Sequence, residues 1–216
     1  MNDFFKIGNI NEFASNVCFG DGISLETNQK VLSFFKFLKN KNLCEIVGLV
    51  PTYNTLGVYW DHLADFDFNS RLKNLWEEFQ TSENQRNAID SRIFEFRVDY
   101  SGEDIFTLAQ KLKLSLKEII DLHSKPIYLV AMIGFLPGFP YLIGLDERLS
   151  VPRKSTPVLK VKKGSVAIGG SQTGIYPQES PGGWHIIGYI NEDLFLPEAS
   201  QKSLLKPGDK VRFIPV

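Results

Sequence analysis

The sequence predicts an α+β protein in two domains, a small α/β sandwich followed by a mostly β domain. Two runs with helical spacing of apolar residues each follow a pair of strand-like runs, which predicts the order ββαββα in the first part. Beyond residue 134, short apolar runs are divided by Gly and Pro, which is typical of a β-barrel or sandwich. The polar run at 81–87 is the predicted linker, so the domains are expected at 1–85 and 86–216.

The elements of the first domain have clear local signals. In chain order, they are predicted strands at 4–10 and 13–19, a helix at 25–39, strands at 44–51 and 55–61, and a helix at 66–79. Ser24 is the predicted N-cap of the first helix and Asn40 its C-terminal stop. Because apolar residues recur every three or four positions in both helices, each is expected to lie with one face on a sheet.

The second domain is expected to begin with a strand, two short helices and another strand. These are predicted at 92–98, 103–112, 115–123 and within 126–135. Ser115 and Glu118 have the spacing of a capping box for the second helix. Three tetrapeptides with Pro then Gly at their centre, at 136–139, 180–183 and 206–209, predict type II turns, because Pro presets φ and Gly tolerates positive φ.

Composition and charge argue against several classes of function. The 24 basic and 25 acidic residues are interleaved and give a net charge of −1, so the chain lacks the basic stripe that nucleic-acid binding requires. No window reaches the roughly 18 apolar residues of a membrane-spanning helix. Cys18 and Cys44 are not spaced as a metal-binding pair and are predicted to be buried free thiols, so we expect a cytoplasmic protein.

The sequence by itself assigns no catalytic residue and predicts no metal site. It has three histidines, at 62, 123 and 185, but no GxSxG nucleophile motif and no HExxH motif. A lone histidine near an apolar strand is more often packed or at the surface than catalytic, and His123 at a helix end is a candidate C-terminal cap. Carboxylates at 146, 147 and 179 lie near the Gly/Pro-rich segments, but their spacing selects none of them as an acid or base.

Two glycine-rich segments are interpreted as loops, GGSQTGIYPQ at 169–178 and ESPGGWHIIG at 179–188. Neither contains GxxxxGK[ST] or a GxGxxG that opens a helix, so they do not predict a nucleotide site. Gln172 and Thr173 are polar side chains in a stretch where glycine leaves backbone N–H groups bare. Such a loop is suited to bind a small ligand with an amide or a carboxylate.

The stretch GFLPGFPYLIGLD at 134–146 places aromatic residues on irregular backbone. Two interpretations are open: its rings fold back and plug the mouth of the barrel, or they face a partner protein and line a shared cleft. We expect a mixture, with some rings as inward anchors and Phe139 and Tyr141 pointing toward the partner. A trans peptide bond before Pro140 is expected over the cis alternative.

A series of long, irregular segments resembles the KipI/PxpB family, also called allophanate hydrolase subunit 1. In order, they are FGDGIS, VPTYNTL, LHSKPIY, GFLPGFPYLIGLD, VPRKSTP, GSVAIGGSQTGIYP, SPGGWHIIG and LLKPGDKVRF. The chain departs from the family pattern at Pro157-Val158, where a second Pro-Arg step is usual. Arg153 is therefore the only guanidinium that matches this part of the motif, and lysine cannot replace its bidentate fork.

The resemblance implies an N-terminal α/β domain followed by a cyclophilin-like β-barrel. It implies a subunit of an ATP-dependent 5-oxoprolinase, which converts 5-oxo-L-proline to L-glutamate together with a homologous PxpC-type protein (allophanate hydrolase subunit 2) and a lactam-utilisation-type protein. ATP is then expected to be bound by the complex rather than by this chain. The family alternatives are a KipI-like inhibitor of a sensor histidine kinase and a subunit of a urea- or allophanate-processing enzyme.

The residues expected to bind a small amide or lactam substrate, or to line the cleft with the partner, come from the same motifs. They are Phe135, Pro137, Gly138, Phe139, Tyr141, Arg153, Gly170, Gln172, Thr173, Gly174, Tyr176 and Trp184.

Overall fold

The computed structural model describes residues 5–62, 67–82 and 91–216, and the chain divides into two compact units, 1–90 and 91–216. The predicted linker at 81–87 and the predicted boundary after residue 85 fall largely within 83–90, outside the described residues. In the described ranges, no helix is long and apolar enough to cross a membrane.

The first unit is a four-stranded antiparallel sheet with two helices, in the predicted order ββαββα. Its elements are β1 (Lys6–Asn11), β2 (Ala14–Cys18), α1 (Leu25–Lys41), β3 (Ile46–Pro51), β4 (Thr55–Trp60) and α2 (Phe68–Thr81). The strands lie in the order β1-β2-β4-β3. The apolar faces of the helices and sheet enclose one core, in which the rings of Phe34 and Trp76 meet edge to face with centroids 5.3 Å apart.

Both ends of α1 have identifiable caps. The Ser24 hydroxyl oxygen accepts a hydrogen bond from the Thr27 N–H at 3.0 Å, as predicted. The helix runs past Asn40 and ends at Asn42, which has the left-handed conformation with a φ of 47°. Asparagine tolerates this conformation better than most residues, so the predicted kind of stop is correct but falls at the wrong asparagine.

The second unit contains a seven-stranded, barrel-like sheet with two helices, which confirms the predicted α+β class. Its elements are β5 (Ile93–Val98), α3 (Ile105–Leu112), α4 (Leu116–Ser124), β6 (Ile127–Ile133), β7 (Pro140–Ile143), a 3₁₀ turn (Glu147–Leu149), β8 (Val158–Val161), β9 (Ser165–Gly169), β10 (Gln172–Ile175), β11 (Ser180–Gly182), β12 (His185–Tyr189) and β13 (Lys210–Pro215). The sheet order is β12-β9-β10-β7-β6-β13-β5. Its two edges nearly meet, because Tyr189 and Asp99 exchange backbone hydrogen bonds of 2.9 and 3.0 Å.

The barrel sheet is covered on both faces. Its inner face and the helices α3 and α4 enclose the main core, which includes Tyr128 and Phe213. Its outer face carries a smaller core that contains Phe139 and Trp184. The two-stranded ribbon of β8 and β11 contributes to this outer core, since Val161 of β8 is buried in it.

Two of the three predicted Pro-Gly turns form. Gly138 and Gly208 have φ of 85° and 94°, and in each turn the N–H after the glycine donates to the carbonyl three positions earlier at 3.0 Å. The third prediction, at 180–183, is wrong because Pro181 lies in β11, which pairs with β8. A strand partner that is distant in sequence therefore overrides this local turn signal.

Two further local predictions have different outcomes. The capping box of α4 is confirmed: the Ser115 hydroxyl accepts from the Glu118 N–H at 3.2 Å, and the Glu118 carboxylate accepts from the Ser115 N–H at 2.8 Å. The prediction of buried thiols is wrong, since Cys44 is exposed and Cys18 is partly exposed, both of them free. Cys44 lies outside the strand predicted to bury it, because β3 begins only at Ile46.

Candidate functional site

An aromatic cavity of about 270 Å³ opens beside the outer core of the second unit. Its lining residues are Phe135, Phe139, Tyr141, Arg153, Pro157, Tyr176, Pro181, Gly182, Gly183 and Trp184. Half of the predicted site residues are among them. The structure thus brings together side chains of the aromatic stretch at 134–146, the VPRKSTP motif at 151–157 and the SPGGW segment at 180–184.

The GFLPGFPYLIGLD stretch shapes the rim of this cavity. Phe135 has a φ of 66°, and the Leu136 N–H donates across it to the Gly134 carbonyl at 2.8 Å, the pattern of a positive-φ γ-turn. This backbone is rare for a residue other than glycine. It leaves Phe135 60% exposed, whereas Phe139 is only 1% exposed. The expectation that Phe139 points toward a partner is therefore wrong, and Phe135 is the ring that faces solvent.

Phe139 lies at the centre of the outer core. Its ring meets those of Tyr176 and Trp184 edge to face, with centroids 5.2 and 5.6 Å apart. The half-buried ring of Tyr141 lies 4.9 Å away, and the peptide bond before Pro140 is trans. These rings fold back onto the barrel, as one interpretation expects, but they pack on its outer face and do not plug its mouth.

Glycines of the two predicted loops are in fact places where an aromatic ring touches the backbone. A Cβ atom built on each glycine would lie within 3 Å of a ring atom. The distances are 2.6 Å from Gly169 to Trp184, 2.9 Å from Gly174 to Phe139 and 2.9 Å from Gly182 to Tyr176. The interpretation of 169–178 as a loop is wrong, because β9 ends at 169 and β10 spans 172–175. Glycine is needed at these positions because any larger side chain would displace a ring.

Replacing Gly182 by alanine is expected to displace the Tyr176 ring and to distort the cavity. Because the methyl group would lie within the contact distance of the phenol, we expect a loss of about 1–3 kcal/mol in the free energy of unfolding, measured by urea denaturation. Gly22→Ala is the control, since nothing lies within 4 Å of a Cβ built there. Equal stabilities of the two variants would contradict the predicted clash.

Arg153 is held at the cavity by the backbone on either side of it. The Pro152 carbonyl accepts a hydrogen bond from His185 Nε2 at 3.0 Å. The Lys154 N–H donates to the Gly183 carbonyl at 2.7 Å. The side chain of Arg153 is exposed, and its Cζ lies 5.7 Å from the centroid of the Trp184 ring, within the range of a cation–π contact.

The two tyrosines of the cavity wall remain neutral phenols at ordinary pH. Burial raises the pKa of Tyr141, and the positive charge of Arg153 opposes this only in part. Burial likewise raises the pKa of Tyr176, against smaller effects of a hydrogen bond from the Trp184 backbone N–H and of Arg153. The cavity wall therefore contains two neutral phenols and one guanidinium among apolar side chains, a composition suited to a small ligand with a polar edge.

Thr173, a predicted ligand-binding residue, lies on the opposite face of the sheet from the cavity. Successive side chains of a strand alternate between its two faces, and in β10 Thr173 points into the barrel, where it is fully buried. Its hydroxyl donates to the Ala167 carbonyl at 2.9 Å and also contacts His123 Nε2 at 2.9 Å. Both contacts are internal, so the structure does not place this hydroxyl where a ligand in the cavity would reach it.

His123 is the centre of a buried hydrogen-bonded chain. Its ring is fully buried, and this burial lowers its pKa to about 3. Because the Thr173 hydroxyl donates to a carbonyl, its oxygen must accept from His123 Nε2–H, and the neutral ring then accepts at Nδ1 from the Tyr100 hydroxyl at 2.7 Å. The candidate role of His123 as a helix cap is wrong, since its side chain packs inward instead.

The remaining predicted residues lie outside the cavity lining. Gly138 lies in the turn before β7, where Pro137 is exposed. Gly170 lies at the tip of the β9–β10 hairpin. Gln172 is 8% exposed and pairs with Gly169, the glycine under Trp184, so it belongs to the face of the aromatic core.

Another cavity, of about 280 Å³, lies in the first unit between α1 and β3. Its lining is largely aliphatic, with Lys39 and Asn42 as the polar side chains, and contains none of the predicted site residues. Within residues 5–62, 67–82 and 91–216, no three His, Cys, Asp or Glu side chains are grouped closely enough to hold a metal ion. The aromatic cavity of the second unit is therefore the better candidate site.

Comparison with known proteins covers nearly the whole chain. The family model for the carboxyltransferase domain, subdomain C and D, matches residues 5–205. A Haemophilus influenzae protein named as a 5-oxoprolinase subunit is 43% identical over 195 residues, which are 88% of this chain and 88% of that protein. A Bacillus subtilis protein of the same name is 32% identical over 229 residues, with 97% and 92% covered.

A solved structure has the same fold. The crystal structure of TTHA0988 matches 94% of this chain with a TM-score of 0.82 and 35% sequence identity. The match covers 40% of the TTHA0988 chain, so this chain spans two fifths of that structure. The α/β fold of the first unit and the barrel-like fold of the second therefore both have counterparts in a solved structure.

Proposed function

The chain belongs to the KipI/PxpB family of 5-oxoprolinase subunits, and on this premise we propose that it is a subunit of an ATP-dependent 5-oxoprolinase. The proposed reaction opens the lactam of 5-oxo-L-proline to give L-glutamate, with hydrolysis of ATP. The observation that carries the proposal is the 43% identity to a protein named as a subunit of that enzyme, over 88% of both chains. An identity of this extent spans both units and is not confined to a shared barrel.

We further propose that the aromatic cavity is the part of the substrate site that this chain supplies. The amide of a five-membered lactam is planar and forms the polar edge of a nearly flat ring, which suits flat aromatic walls and a few hydroxyl donors. Phe139, Tyr176 and Trp184 form such walls, and the contacts with glycine hold them close to the strands. Exclusion of water from the cavity would strengthen each hydrogen bond to the amide.

Exposed apolar side chains at the rim of the cavity favour a partner chain that covers it. Phe135 is 60% exposed, and Leu159, on the ribbon strand beside the outer core, is 82% exposed. Exposed apolar side chains beside a concave site are typical of an interface. We propose a PxpC-type protein as the partner at this rim, with a lactam-utilisation-type protein as the third component and ATP bound outside this chain.

Reconstitution tests the proposal directly. The three proteins are co-expressed and purified as one complex, and L-glutamate and ADP are measured with 5-oxo-L-proline and ATP as substrates. We expect both products from the complete complex and neither when this chain is omitted. An intact, correctly assembled complex without turnover would contradict the proposed function.

A further inference from the structure

We propose that Arg153 binds the carboxylate of a small cyclic monocarboxylic acid in the aromatic cavity, so that the cavity selects the acid over the neutral amide of the same ring. The inference rests on the proposed function only for naming the acid as 5-oxo-L-proline. The recognition of a carboxylate follows from the residues around the cavity and has its own test.

The positive charge of the cavity lining has no counter-charge from the protein among the described residues. Arg153 is the only charged residue that lines it, and in the described parts of the chain no carboxylate pairs with its guanidinium. The adjacent cation, Lys154, is by contrast neutralised by Asp104 at 2.7 Å, and both of those side chains are largely buried. A ligand with one negative charge would balance the positive charge of the Arg153 guanidinium.

The guanidinium is placed to receive a planar anion. Its Cζ lies 5.7 Å from the centroid of the Trp184 ring, and a guanidinium presents its N–H groups in a planar fork that can bind a carboxylate in bidentate fashion. Arg153 also lowers the pKa of both Tyr141 and Tyr176 against the stronger effect of their burial. The positive charge of Arg153 therefore acts on two phenols of the cavity wall.

The segment that carries Arg153 is fixed before any ligand arrives. Val151 exchanges backbone hydrogen bonds of 2.7 and 3.1 Å with Gly170, the Pro152 carbonyl accepts from His185, and the Lys154 N–H donates to the Gly183 carbonyl. Only the arginine side chain has to be ordered on binding. Such preorganisation reduces the entropy cost of forming the ion pair.

A single guanidinium also limits the charge of the ligand. Val158, which follows Pro157 of the cavity lining, is half-buried against the outer core. The side chain at this position therefore adds packing and no second positive charge. One cation matches a monocarboxylate, whereas phosphate or a dicarboxylate would leave charge unpaired in an apolar cavity.

Ligand-observed NMR titration of the full chain compares 5-oxo-L-proline with 2-pyrrolidinone, the same lactam without the carboxylate. We expect tighter binding of the acid to the wild type, and a loss of about tenfold or more in this affinity in Arg153→Met, with binding of 2-pyrrolidinone unchanged. Arg153→Lys should recover only part of the loss, because an ammonium lacks the bidentate fork. Arg148→Met is the matched control, since Arg148 is paired with Asp146 outside the cavity.

The outcomes separate this inference from the proposed function. If the wild-type chain does not prefer the acid, or Arg153→Met weakens both ligands equally, the carboxylate role is wrong even when the assembled enzyme is active. If the complex shows no 5-oxoprolinase activity but the acid preference depends on Arg153, the proposed function fails and the carboxylate site stands. Inorganic phosphate added as a competitor should displace the acid poorly, and effective displacement would overturn the selection of a monoanion.

Discussion

The variant His123→Asn is expected to lose an acid sensitivity of folding that the wild-type protein shows. Burial lowers the pKa of His123 from 6.5 to about 3 in the folded state, so the unfolded chain takes up the proton first as the pH falls. The contribution of neutral His123 to the free energy of unfolding is fully present above pH 6.5. As the pH falls below 6.5, this contribution declines by about 1.4 kcal/mol per pH unit until the folded-state pKa is reached. Asparagine does not titrate, so this part of the dependence of the free energy of unfolding on pH should disappear in the variant.

The measurement is the free energy of unfolding by urea at several pH values between about 7 and about 4, taken as a difference between each variant and the wild type. His62→Asn is the control, because His62 is an exposed residue beside Asp61 and makes no contact in the buried chain. A wild-type slope that His123→Asn leaves unchanged would contradict the neutral, buried state that the hydrogen bonds to Tyr100 and Thr173 indicate.

Replacing Asp209 by alanine is expected to cost about 3 kcal/mol of folding stability. The Asp209 side chain is only 5% exposed and pairs with Arg92 at 2.7 Å. Its carboxylate also accepts the Lys206 N–H at 2.9 Å, which holds the Pro-Gly turn before β13. Removal of the carboxylate leaves these donors without their acceptor and loosens the start of the β5–β13 pair.

A second ion pair, between side chains of β5 and β13 themselves, provides the matched control. Glu95 and Arg212 pair at 3.0 Å, but their side chains are 56% and 42% exposed. Glu95→Ala should therefore cost less than about 1 kcal/mol, because exposed pairs are screened by water. Urea unfolding of both variants is the measurement, and similar losses in the two would contradict the assigned importance of burial.

Much of the fold can be predicted from the sequence because its signals are local. The order ββαββα follows from apolar periodicity, and the caps at Ser24 and Ser115 need only neighbouring residues to form. The Pro-Gly turn signals succeed at 136–139 and 206–209 for the same reason. At 180–183 the signal fails because the segment pairs with β8, a partner that no local pattern identifies.

The candidate site is predicted in part because its aromatic motifs are conspicuous, whereas the orientation of each side chain depends on strand alternation. Whether Thr173 faces the cavity or the barrel is decided by the register of β10 against β7 and β9. That register also brings Thr173 to His123, which is distant in sequence, so nothing local indicates their hydrogen bond. The role of Gly182 is hidden in the same way, since it depends on where the Tyr176 ring lies.

The aromatic cavity is proposed above as the part of a 5-oxoprolinase substrate site that this chain supplies. The most direct test is kcat/KM for 5-oxo-L-proline of the reconstituted complex carrying Gly182→Ala, with complexes carrying the wild type and Gly22→Ala measured alongside. We predict a decrease of about tenfold or more for Gly182→Ala and wild-type values for Gly22→Ala, because only the first substitution displaces a ring of the cavity wall. Wild-type kcat/KM in a folded, fully assembled Gly182→Ala complex would contradict the claim.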